Sequence, residues 1–205
     1  LNSENIHGTI RLLPESPQNS NFDSKSTRAV VDSGEQSIAL LTNGIGGMAR
    51  MAVDLGAIAS KYDCLLGANL NSDKPVDRHV LAKRVRIWAV ADGFISELNA
   101  ATLLEFSPGP PAHWRFLVSA GDSRAVEIEL QASMPDGQNE THLTITRFKK
   151  DPDKGQRLAS DKSFSITVRI DIEDRIFHAE TKINEEVKRH FVDNISCDSG
   201  GFIFT

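Results

Sequence analysis

Phe164, Ile166, Val168, Ile170 and Ile172 occupy every second position of one segment, with Ser165, Thr167, Arg169 and Asp171 between them. Apolar side chains at a period of two line one face of an extended chain, so this segment reads as a half-buried strand. Trp114, Phe116 and Val118 alternate in the same way, as do Val126, Ile128 and Leu130, and Leu143 and Ile145 begin another run. Turn-forming clusters punctuate these runs. Asp92-Gly93 closes the strand that carries Val85, Ile87 and Ala89, Ala120–Ser123 separates two strands, and Pro135–Asn139 separates two more. Helical periodicity is nearly absent, and the one candidate of any length lies at Asn184–Arg189. The polar stretch Gln18–Thr27 reads as a loop, and the charged stretch Asp151–Asp161 as a long hairpin loop or small insertion. Short strands with turns every ~8–12 residues predict an all-β antiparallel sandwich with little helix.

Composition narrows the function classes. The chain has 205 residues and a net charge of −5, without the basic footprint of a nucleic-acid binder. No apolar run approaches the ~18 residues of a membrane helix, and the first residues of the sequence do not pair a positively charged segment with an apolar one. Cys64 and Cys197 stand far apart with no metal-ligand partner at the usual spacing, so both are expected to be reduced structural thiols in a cytoplasmic protein. His113, His142, His178 and His190 are isolated, and no metal or cofactor is expected. The sequons at Asn139 and Asn194, with no secretion signal beside them, are expected to be coincidental rather than glycan acceptors. The chain starts at Leu1 without an initiator Met and stops at Thr205 inside a strand-like run. Both ends predict a domain cut from a longer polypeptide.

The stretch Leu41-Thr-Asn-Gly-Ile-Gly-Gly47 raises the sharpest question. A dinucleotide fingerprint needs a third glycine and a following helix, and a phosphate loop needs Gly-Lys-Ser/Thr; neither is present. A tight turn accounts for it better, since glycine supplies positive φ and asparagine tolerates it. Its neighbours add detail: Tyr62-Asp-Cys-Leu-Leu66, Ala68-Asn-Leu70, Pro75, Asp77-Arg78, Pro110–Phe116, Met134–Asn139 and Ile172–His178. Together these resemble the N-terminal domain of prokaryotic-type glycogen debranching enzymes, the amylo-α-1,6-glucosidase family. The resemblance covers residues 36–205, while residues 1–35 stand as an extension or as first strands. Met48 replaces the family's usual aromatic, Ser60-Lys61 its arginine pair, and Asp63-Cys64 its His-Gly.

The resemblance implies a galactose-mutarotase-like supersandwich that packs against an (α/α)6 catalytic domain of the same polypeptide. That domain would hold the acids that cleave branch points of glycogen or other branched α-glucans. No catalytic residue is then expected here. Glycoside hydrolysis needs two carboxylates across a cleft, and the adjacent Glu173 and Asp174 would point to opposite faces of a strand. Substrate or domain contacts are expected from Thr42, Asn43, Gly44, Gly46, Gly47, Lys61, Tyr62, Asp63, Arg78 and Trp114. Trp114 follows Pro110-Pro111 and is expected near a rim. Trp88 falls on the face opposite Ile87, where it is either exposed, as an indole that stacks on a sugar ring would be, or equally buried in a core or interface. The alternatives are a stand-alone carbohydrate-binding sandwich and a purely structural interaction domain.

Overall fold

The computed structural model describes residues 38–71, 73, 74, 77–148, 156–159, 161–180, 182, 185–198 and 201–204. The expected extension 1–35, with its loop 18–27, lies outside them, as do residues 151–155. The chain divides into two units, Ser26–His178 and a second that includes Ala179–Thr205.

In the first unit the strands run in chain order as β1 (Ile38–Thr42), β2 (Met48–Ala52), β3 (Cys64–Asn69), β4 (Arg78–Ala91), β5 (Phe94–Glu97), β6 (Leu103–Ser107), β7 (Ala112–Ser119), β8 (Arg124–Ser133), β9 (His142–Arg147), β10 (Gln156–Arg157) and β11 (Phe164–Ile176). They form two sheets. The first has the order β1-β2-β3-β4-β11, with β5 also on β4; the second has the order β10-β8-β7-β6, with β9 also on β8. Every pairing is antiparallel except the short parallel contact of β10 with β8. The alternation thus reports the architecture correctly, an antiparallel sandwich. The expected 151–161 hairpin instead contributes Gln156 and Arg157 to a parallel edge.

One core joins the sheets. Val85, Ile87, Ala89 and Ala91 of β4 face Trp114, Phe116 and Val118 of β7 and Val126, Ile128 and Leu130 of β8. The turns follow the expected chemistry. Asp92 (φ 50°) and Gly93 (φ 87°) make the paired positive-φ turn that suits a two-residue hairpin.

β11 breaks its own pattern. Its register against β4 shifts between Asp171 and Ile172 and again before Arg175. A bulge displaces the alternation by one residue. Arg175 therefore turns inward at 9% exposure while Ile176 is 64% exposed. Inward-facing Phe177 joins Met48, Cys64 and Val80 in a small satellite core covered by Tyr62.

In the second unit α1 (Glu185–Asn194) precedes a hairpin of β12 (Ile195–Asp198) and β13 (Gly201–Phe204). The helix begins where expected and runs five residues longer than the sequence pattern suggests. Glu185 and Glu186 in its first turn oppose the positive end of its dipole. Cys64 and Cys197 are both free thiols, Cys64 buried and Cys197 exposed.

Candidate functional site

Three loops meet at one end of the sandwich: residues 43–47 between β1 and β2, the chain leaving β3 at Asn69, and residues 134–141 between β8 and β9. Three asparagine side chains tie them together. Asn43 is fully buried. Its Oδ1 accepts from the amides of Gly47 (2.8 Å) and Ile45 (3.2 Å), closing the turn on itself. Its Nδ2 donates to the carbonyl of Gln138 (2.7 Å) and to Asn139 Oδ1 (3.2 Å), reaching the second sheet. Its own carbonyl accepts from Gly137 N at 2.7 Å. Asn139 Oδ1 also accepts from Asn69 N (3.0 Å), and its Nδ2 donates to Asn69 O (2.7 Å). Asn69 Nδ2 returns to Ile45 O at 2.6 Å. Buried amides are costly without partners, and here they satisfy one another across both sheets. Within the lock, Asn69 Oδ1 is the one buried side-chain atom with no hydrogen-bond partner among the described residues.

The glycines follow from this lock. Gly44 and Gly46 have φ of 76° and 98°, where L side chains are strained. A Cβ on Gly47 would stand 2.4 Å from Asn43 Nδ2 and 2.8 Å from Asn139 Oδ1, so the lock leaves no room for one. Thr42 and Gly44 face solvent beside it. Arg78 donates from Nε to Gly46 O, and its guanidinium lies over the Phe177 ring at 5.6 Å.

Lys61, Tyr62 and Asp63 form a second cluster on the satellite core. Asp63, only 3% exposed, pairs through Oδ1 with Arg50 and accepts from the amides of Ala59 (2.6 Å) and Ser60 (2.7 Å) through Oδ2. It thus clamps the loop that enters β3. Tyr62 packs against Phe177 at 5.1 Å between centroids, and Lys61 donates to His178 O at 3.0 Å. The Lys61 carbonyl accepts from Arg175 Nη2 (2.6 Å) and Lys83 Nζ (2.8 Å). Burial lowers the Lys83 pKa, and nearby Arg175 and Arg50 act in the same direction against Glu173. Burial likewise pushes the Cys64 thiol up.

Trp114 corrects its expectation. It is not at a rim but fully buried, its Nε1 donating to Val53 O at 3.2 Å. It shares parity with Phe116 and Val118, and that parity decides its side. Glu173 and Asp174 diverge as expected: Glu173 pairs with Arg175 at 2.9 Å and Asp174 with His79. The sequence reading missed Asn69 and Asn139 as site residues, although both stand in segments that carry the resemblance. It also missed Arg50 and Arg175, whose partners lie 13 and 114 residues away. Among the described residues no group of three or more His, Cys, Asp or Glu is placed to hold a metal ion, and no helix is long and apolar enough to cross a membrane.

Neither a curated protein nor a solved structure matches the chain. Residues 39–202, from the second residue of β1 into β13, match the family model described as "Glycogen debranching enzyme N terminal". That span contains all three loops of the asparagine lock and the whole satellite cluster. The chain belongs to the glycogen debranching enzyme N-terminal family.

Proposed function

We propose that this chain is the non-catalytic N-terminal β-domain of a glycogen debranching enzyme acting at α-1,6 branch points, and that its locked loop end borders the substrate cleft beside a catalytic (α/α)6 domain of the same polypeptide. The asparagine lock carries this reading. It fixes three loops from two sheets into one preformed edge, the kind of rigid support on which a cleft wall depends. Thr42, Gly44, Gly46 and the edge of Arg78 present hydroxyl, amide and guanidinium groups there for a glucan or for the catalytic domain. Asn43, Gly47 and Asp63 act by positioning. Lys61 and Tyr62 extend the same surface over the satellite core.

The carboxylates support a non-catalytic role. A glycosidase acid needs a raised pKa. Burial raises that of Asp171, but hydrogen bonds from Arg84 and Arg86 outweigh it, so the net shift is downward. Glu173 and Asp174 are engaged by Arg175 and His79.

The test sets this chain beside the full-length gene product on a branched limit dextrin. Glucose release by the full-length protein and none by this chain is the expected result. Release by this chain alone, abolished by a substitution within it, overturns the reading.

A further inference from the structure

The outer face of the first sheet holds a second arrangement, away from the loops. Along β4, Val85, Ile87, Ala89 and Ala91 are buried in the core, so Arg84, Arg86, Trp88 and Val90 point outward, each half-buried. The strand register sets their neighbours. Glu97 of β5 and Thr167 of β11 stand directly opposite Trp88 on either side. Directly opposed side chains share a face with Cβ atoms about 4.5–5.5 Å apart. The indole therefore sits mid-row on a three-stranded platform, flanked by a carboxylate and a hydroxyl. Arg86 lies one step along the same face, its guanidinium over the indole at 5.9 Å from the ring centroid. Asp171 holds it by bonds of 3.0 and 3.2 Å to Nη2, so its direction is fixed.

We propose that this face is an α-glucan-binding platform separate from the loop end, a proposal that rests on the glucan reading above. The C–H face of a glucopyranose packs on a flat ring, and its equatorial hydroxyls need polar groups beside that ring. Glu97 accepts, Arg86 donates and Thr167 does both. A protein partner fits less well. The apolar surface is one indole with Val90 and the edge residue Ile95, bracketed by charges, whereas stable protein interfaces bury about 1,200–2,000 Å² around an apolar centre. Trp88 lies ten residues beyond Arg78 on one continuous strand, about 33 Å at 3.3 Å per residue. A short oligosaccharide cannot span that distance, but a long glucan chain can touch both places. The platform then raises the affinity for polymer through effective concentration.

Tryptophan fluorescence of the chain as it stands tests this, because Trp88 and Trp114 are its only tryptophans and Trp114 is fully buried. Acrylamide quenching accordingly reads Trp88. Maltoheptaose is expected to protect against it, and Glu97→Ala combined with Thr167→Ala to abolish the protection with Tm unchanged. In native gels containing glycogen, Trp88→Ala is expected to weaken retardation on the order of tenfold, and Trp88→Tyr, which keeps a flat ring, to restore most of it. No protection at millimolar maltoheptaose, or protection that survives the double substitution, overturns the proposal. So does protection seen only when the catalytic domain is present, which would make this a protein-docking face. The readout is fluorescence of this chain, whereas the loop-end reading is judged by activity of the full-length protein, so each can fail alone.

Discussion

Asn43 Nδ2 lies 3.2 Å from Asn139 Oδ1, and through that bond the turn between β1 and β2 and the loop between β8 and β9 share one amide network. The contact joins the two sheets at their loop end, where the core gives way to backbone. Removing one partner leaves the others buried and unmet, which usually costs more than the bond itself is worth.

Asn43→Ala is therefore expected to destabilise the domain by about 2–4 kcal/mol, since it strips partners from Gly47 N, Gln138 O and Asn139 at once. Denaturant unfolding followed by circular dichroism, whose spectrum should be strand-dominated, measures this. A change under about 0.5 kcal/mol would remove the lock from the account.

Gly46→Val places a β-branched side chain at φ 98° and is expected to cost about 1–3 kcal/mol through strain. In full-length protein, activity on limit dextrin should fall at temperatures where the variant remains folded. A variant as stable and as active as its parent would sink both the strained turn and the cleft-facing edge.

Asp171 anchors Arg84, Arg86 and Arg169 with one carboxylate. Its folded-state pKa is depressed, so its contribution is complete above the ordinary aspartate value of 3.8 and is lost as pH falls through the folded value. Asp171→Asn should cost about 1–2 kcal/mol at neutral pH. The gap between parent and variant should narrow steadily in urea titrations carried below that value. A gap independent of pH would show that the ion cluster contributes nothing.

The two thiols should react unequally. Cys64 is buried with its pKa raised, while Cys197 is exposed. A thiol reagent at mildly alkaline pH should titrate one cysteine at once and the second only on unfolding. Two fast equivalents in the native protein would mean that the satellite core opens readily.

Much of the sandwich is legible in the sequence because its strands obey a period of two where one face is buried. The runs at Trp114, Val126 and Phe164 map directly onto β7, β8 and β11. Trp114 takes its side from its parity with Phe116, which outweighs the prolines before it. Beyond Ile172 the parity itself fails. The bulges that turn Arg175 inward arise from the pairing of β11 with β4, and no local residue signals them. The lock is half legible. Asn43 and its glycines mark a turn, but its partners Asn69 and Asn139 lie 70 residues apart and become neighbours only through the fold. Asp63, a departure from the family pattern at sequence level, proves to be a clamp on its own loop.

The pairing of β4 with β11 has a consequence for synthesis. The two strands meet along most of their length across more than seventy residues of intervening chain. A nascent chain therefore cannot complete its first sheet until Ile176 has left the ribosome, long after Val85 and Ile87 have emerged. Until then β4 offers an open strand edge, and such non-local closure is slow and exposed to aggregation. Truncations that end before Phe164 should accumulate in inclusion bodies, whereas cuts after His178 should leave the sandwich able to close.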